Sequence, residues 1–176
     1  MDRLHLLQDP WKQASERERT RLLLTNEIVR RCAPDCASLL EIGSGEGAQT
    51  ASLLTVARQV TGVEVSSVAV ERARAAVPQA EFLVGRAEDV GRLVDGRRFD
   101  LVTACDVLHH APDVGRVLAV LKGLAPQILV TNSERRARKL APHFDGPGWT
   151  RLDDLVVGRA RWRCHLWRAP ELERKA

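Results

Sequence analysis

The chain has 176 residues, 44% hydrophobic and 28% charged, a length and composition that suit one globular domain able to bury a core without disulfide or metal staples. No apolar stretch approaches the ~18 residues of a membrane span, and the start, Met1-Asp2-Arg3-Leu4-His5, lacks a basic segment followed by an apolar one, so neither a membrane protein nor a secreted one is expected. The net charge of +4 is uneven: residues 134–176 hold 11 Lys or Arg against 6 Asp or Glu, a basic end suited to an anionic ligand or to nucleic acid.

In chain order, Ser15 with Glu18 forms a capping box, and the helix behind it lines up Leu24, Ile28 and Cys32 at a spacing of four before Pro34 closes it. Ser38–Ile42 reads as a buried strand running into a glycine-rich turn, followed by a helix over 49–57. A second strand over 59–65 and a helix over Ser67–Ala76 come next. Then follow a strand over 80–84, a short helix over 89–94, a strand over 99–104, and a helix over 112–121 with proline near its first turn. A fifth strand over 127–132 leads to a helix over Glu134–Leu140. Two β segments, 151–157 and 161–168, join through Gly158 with no helix between them. Strands alternating with helices imply a parallel sheet with right-handed crossovers, and the closing hairpin adds one antiparallel strand. The expected architecture is α/β, a doubly wound and mostly parallel sheet of seven strands with helices on both faces, its crevice at the carboxyl ends of the strands. The cysteines at 32, 36, 105 and 164 match neither a zinc ribbon nor a Cys-x-x-Cys motif. They read as thiols of a cytoplasmic protein.

The densest signal is Glu41-Ile42-Gly43-Ser44-Gly45-Glu46-Gly47. Glycines directly after a buried strand allow a tight turn and close approach of a ligand to backbone N–H groups. Gly43, Gly45 and Ala48 also satisfy the dinucleotide spacing. Glu41 argues against a pyrophosphate and for a cationic amino-acid moiety. Glu64, 23 positions on at the tip of the second strand, can accept from both hydroxyls of a ribose. Strand four runs into Cys105-Asp106-Val107-Leu108-His109-His110, which places Asp106 and two imidazoles at the crevice as candidate bases.

Glu41-x-Gly43-x-Gly45-x-Gly47 followed by Gly62-Val63-Glu64-Val65-Ser66 resembles the class I S-adenosylmethionine-dependent methyltransferases, over residues 38–132 and in the terminal hairpin. The resemblance implies a Rossmann-like core over 37–176 and a single domain over 1–176, with residues 1–36 as a helical cap segment. It implies S-adenosylmethionine as cofactor, its methionine part over Glu41, Gly43, Ser44, Gly45 and Gly47. Glu64 and Val65 would lie at the ribose, Ala87 and Glu88 at the adenine, and Cys105 beside the donor. His109, His110 and Asp106 are the implied catalytic groups, and no metal is expected. Arg86 stands where many relatives carry Asp, which makes Glu88 the substitute for holding adenine N6, and Leu124-Ala125-Pro126-Gln127 replaces the usual Pro-Gly-Gly turn. Asp9-Pro10-Trp11 and the Glu- and Arg-rich helix after it are similar to the nodulation-type small-molecule N-methyltransferases. The expected reaction is methyl transfer to nitrogen or oxygen of a small-molecule acceptor, one with an anionic group held by Arg135 or Arg136.

Three other readings stay open on the residues. An RNA methyltransferase would use Asp106, His109, His110 and His143 around a metal and present Trp149, Trp162 and Trp167 among arginines to RNA. A nicotinamide oxidoreductase and an inactive cofactor-binding partner subunit are the others. Against an RNA platform, Trp162 and Trp167 are five apart and fall on opposite faces of a regular strand.

Overall fold

The computed structural model describes residues 15–170; Asp9-Pro10-Trp11 lies outside them. The described residues form α1 (Glu16–Cys32), β1 (Ser38–Ile42), α2 (Ala48–Leu53), β2 (Gln59–Glu64), α3 (Ser67–Ala76), β3 (Glu81–Val84) and α4 (Val90–Leu93). They continue with β4 (Leu101–Cys105), α5 (Val114–Leu124), β5 (Gln127–Ser133), α6 (Glu134–Leu140), β6 (Trp149–Val157) and β7 (Ala160–Arg168). Short 3-10 turns cover Ala87–Asp89, Leu108–His110 and Ala141–Phe144. No helix among them is long and apolar enough to cross a membrane.

The seven strands order as β3-β2-β1-β4-β5-β7-β6. β1 to β5 run parallel, and β7 is antiparallel to both of its neighbours. The expected doubly wound sheet with a closing hairpin is therefore present. Its central strands are apolar on both faces because helices cover both. Leu39, Leu101 and Leu129 pack on one side with Ile28 and Val29 of α1, while Leu40, Val102, Ile128 and Val130 pack on the other with Val117 and Leu121 of α5. Each such side chain, at most 1% exposed, contributes about 1.5–3 kcal/mol by leaving water. Trp162 belongs to the α1 side and Trp167 to the α5 side, as their spacing implied.

α1 keeps half of its capping box. Ser15 Oγ accepts from the Glu18 N–H at 3.4 Å, but the Glu18 carboxylate turns to Arg17 and Arg21. The apolar stripe is as read, with Ile28 buried and Leu24 and Cys32 packed beside it. α2 stops at Leu53 instead of running to residue 57, and the Thr55 hydroxyl donates to the Ser52 carbonyl at 2.8 Å in the turn that follows. α5 starts after Asp113, whose carboxylate caps the Arg116 N–H at 2.9 Å, and continues a turn beyond residue 121 to bury Leu124. The four cysteines are free thiols. At the sheet's edge the ladder between β6 and β7 is broken by a bulge between Leu152 and Leu155.

Candidate active site

A cleft of about 950 Å³ opens at the carboxyl ends of the parallel strands. Its first wall is the turn from β1 into α2. Gly43, Gly45 and Gly47 have φ of 76°, 54° and 89°, conformations that cost an L side chain roughly 1–2 kcal/mol. The turn is pinned from the next strand: the N–H groups of Gly43 and Ser44 donate to the Val63 carbonyl at 2.8 and 3.2 Å. A Cβ on Gly43 would lie 2.4 Å from Val107 Cγ2, so the turn also packs against the segment after β4.

Glu64 at the tip of β2 organises the second wall. Its Oε1 accepts from the N–H groups of Val65 and Ser66 at 2.9 and 3.0 Å, and its Oε2 from the Gly45 N–H at 3.2 Å. The carboxylate is thus held in one orientation by three backbone donors, and Oε2 keeps acceptor capacity for a ligand hydroxyl. Ala87 and Glu88 line the cleft from the loop after β3, where Glu88 faces Arg86 at 3.7 Å.

The predicted cofactor residues divide in two. Gly43, Gly45, Glu64, Val65, Ala87, Glu88 and Cys105 line the cleft. Glu41, Ser44 and Gly47 are buried and do not line it. A Cβ on Gly47 would crowd Val77, Ala73 and Phe82 at 3.2–3.3 Å, and its φ of 89° disfavours any side chain. Glu41 is 3% exposed, and Thr50 Oγ1 donates to its Oε2. Burial pushes its carboxyl up to about 7, against the pull of the Thr50 hydrogen bond and the Arg21 charge. Its folded value lies above the ordinary one, so it adds stability that is full below about 4.5 and is lost as pH rises towards 7. Glu41→Gln is therefore expected to gain on the wild type by about 1–3 kcal/mol between pH 5 and 7.5, read from urea midpoints at the two pH values. A constant difference between the two proteins would refute the burial of a titrating Glu41.

Arg21 is the residue that the sequence reading missed. It is a charged position on a helix, 7% exposed, and it lines the cleft. Its Nε donates to Glu18 Oε2 at 2.8 Å and its Nη1 to Gln49 Oε1 at 3.2 Å, and its guanidinium lies 6.0 Å from the Trp162 ring centroid. Gln49 in turn donates to Cys105 Sγ at 3.0 Å. This row ties α1, α2 and β4 together under the cleft. The only sequence signal was the spacing of three between Glu18 and Arg21, which many solvent-facing pairs share.

After β4 the chain turns at Asp106, a non-glycine residue at φ 54°. Both of its carboxylate oxygens are engaged. Oδ1 accepts from the Ser133 N–H at 2.8 Å, with Arg136 Nη1 3.4 Å away, and Oδ2 accepts from the Trp162 indole N–H at 2.8 Å. Asp106 therefore joins the ends of β4, β5 and β7. Asp106→Ala strands both donors and puts alanine in a left-handed conformation, at an expected cost of about 2–4 kcal/mol. A urea midpoint unchanged from wild type would show that the junction does not need the carboxylate.

The two histidines separate. His110 is exposed and lines the cleft. His109 lies against it, ring centroids 3.8 Å apart and planes tilted by 42°, with both ring nitrogens buried and without a hydrogen-bond partner among the described residues. Burial, then the charges of His110 and Arg136, push His109 down to about 4, while burial and Arg136 lower His110. Both imidazoles are neutral at pH 7. Among the described residues no group of three His, Cys, Asp or Glu could hold a metal ion, and His143 does not line the cleft.

This sheet order, with a glycine turn after β1 and a carboxylate at the tip of β2, is the fold of the class I S-adenosylmethionine-dependent methyltransferases. Residues 40–125 match the methyltransferase domain family. Nodulation protein S of Bradyrhizobium diazoefficiens is 29% identical over 129 residues, 73% of this chain and 61% of that protein. The ubiquinone biosynthesis O-methyltransferase of Rhodopseudomonas palustris is 30% identical over 82 residues, 46% of this chain and 32% of that one. The chain thus spans less than two thirds of these relatives. The crystal structure of the N-methyltransferase NodS from Bradyrhizobium japonicum WM9, in complex with S-adenosylhomocysteine, superposes with a TM-score of 0.78 at 20% identity, covering 96% of each chain.

Proposed function

We propose that this chain transfers a methyl group from S-adenosylmethionine to nitrogen or oxygen of a small-molecule acceptor. The observation that carries this reading is the joint between the glycine turn and Glu64, where the Gly45 N–H and the carboxylate meet at the cleft wall. The residues present fit the donor. Glu64 Oε2 keeps a lone pair for a ribose hydroxyl, and Glu88 supplies an acceptor for adenine N6. The buried Arg21 is a counter-charge for a carboxylate of the methionine part. When bound, the donor supplies a methyl carbon already activated by its sulfonium. The work left to the protein is orientation, exclusion of water and removal of a proton. His110, neutral and at the cleft, is the group we assign to accept that proton, with His109 fixing its ring from behind and Asp106 fixing the floor. Residues 1–36 act as a cap on a core of 37–176 within one domain, with α1 delivering Arg17, Glu18 and Arg21 to the cleft. Arg135 or Arg136 grips an anionic group on the acceptor.

The test is calorimetry with S-adenosylhomocysteine, followed by transfer of isotopically labelled methyl into small-molecule extracts. Saturable binding and a labelled product are expected. NADH binding as tightly as S-adenosylhomocysteine would overturn the reading.

A further inference from the structure

Seven arginines line the cleft, and their partners sort them. Arg17 and Arg21 pair with Glu18 at 3.3 and 2.8 Å. Arg86 faces Glu88, Arg136 faces Asp106 at 3.4 Å, and Arg161 faces Asp154 at 3.2 Å. Among the described residues, Arg135 and Arg159 alone of the seven have no acidic partner. They come from different parts of the fold. Arg135 stands in the first turn of α6, directly after β5, and Arg159 in the turn between β6 and β7. The topology brings them to one rim. β7 runs antiparallel to β5, with Ser133 opposite Trp162, so the turn that starts β7 hangs over the carboxyl end of β5, where α6 begins. Of the acids that line the cleft, Glu18 pairs with Arg17 and Arg21, Asp106 faces Arg136, and Glu134 pairs with Arg138 at 3.2 Å, while Glu64 and Glu88 lie on the β2–β3 side. The cleft is therefore polarised, with carboxylates where the donor's nucleoside would lie and uncompensated guanidinium groups at the other end.

We infer that this rim holds a dianionic group of the acceptor, a phosphate monoester, between Arg135 and Arg159. The inference rests on the methyltransferase reading and names the class of its acceptor. Two guanidinium forks match the charge of a phosphate dianion and offer it paired N–H donors, whereas a single carboxylate leaves one cation unneutralised. Arg136, at 3.4 Å from Asp106 rather than in a tight bidentate pair, keeps donors for a third contact. His110 lines the same cleft, where burial and the Arg136 charge lower it against the opposing charges of Glu64 and Asp106. A phosphate bound there would leave the imidazole beside the acceptor's reacting amine or hydroxyl.

The experiment uses the full chain saturated with S-adenosylhomocysteine, titrated with inorganic phosphate and separately with acetate near physiological salt. Phosphate is expected to bind saturably and at least about tenfold more tightly than acetate. The Arg135→Gln, Arg159→Gln double variant is expected to lose that margin while its S-adenosylhomocysteine affinity stays within about twofold of wild type. In the second arm, labelled-methyl transfer into an extract is expected to disappear after phosphatase treatment of that extract. Acetate binding as well as phosphate, phosphate affinity unmoved in the double variant, or label transfer that survives the phosphatase would overturn the inference. Failure of S-adenosylhomocysteine to bind strikes the methyltransferase reading instead, and the phosphate titration of the protein without it then still decides whether the rim holds the dianion.

Discussion

Replacing Gly45 by valine is expected to lower S-adenosylhomocysteine affinity by more than about 100-fold, measured by calorimetry. Gly45 combines three demands that no branched residue meets. It sits at φ 54°, it lines the cleft, and its N–H donates to Glu64 Oε2 at 3.2 Å. Valine would fill space at the cleft wall and, by leaving the left-handed region, pull the N–H off the carboxylate. The cost to the fold itself is smaller, about 1–2 kcal/mol of strain, so the variant is expected to stay folded with a melting temperature a few degrees lower. Equal affinities in a folded variant would remove the glycine turn from the donor site.

The second large effect belongs to His110. His110→Ala is expected to reduce turnover by ~100–10,000-fold, the range of a lost general base, with S-adenosylhomocysteine affinity unchanged. Burial and Arg136 hold the ring below its ordinary value, so the acid limb of the pH–rate profile is expected below pH 6.5 in the wild type and absent in the variant. His109→Ala is expected to lose less. Its nitrogens are buried, and it acts only through the His110 ring it packs against. Full turnover in His110→Ala would mean that orientation alone carries the reaction and that no imidazole is required.

The sheet was legible because the central strands are short apolar runs between turn residues. Leu39-Leu40, Leu101-Val102 and Ile128-Leu129-Val130 are buried on both faces, and such runs admit few other placements. The glycine turn was legible because positive φ leaves a signature in residue type. Helix ends were less so: Leu53 and Leu124 end their helices for reasons of packing and side-chain hydrogen bonding that no single residue announces. Three features of the site needed the fold. Arg21 looks like any exposed helix cation until α1 lies against the sheet. The bond from Trp162 to Asp106 spans 56 residues and depends on the register of β7 against β5. Which of two neighbouring histidines faces the cleft is set by a single 3-10 turn, where one residue rotates the side chain by a third of a circle.

The break in the ladder between Leu152 and Leu155 also bears on how copies of this protein meet. A sheet's outer strands offer unpaired N–H and C=O groups to any passing chain. Here one outer strand, β3, is four residues long, and its Glu81 is clasped by Arg97 at 2.8 Å. The other, β6, is kinked at the bulge and carries Arg151, Asp153 and Asp154 around it. A bulge bends its strand and increases the local twist, so no long flat row of donors and acceptors remains on that side. Neither border is a template for growth. Concentrated protein is therefore expected not to add sheet edge to sheet edge into fibrous aggregates.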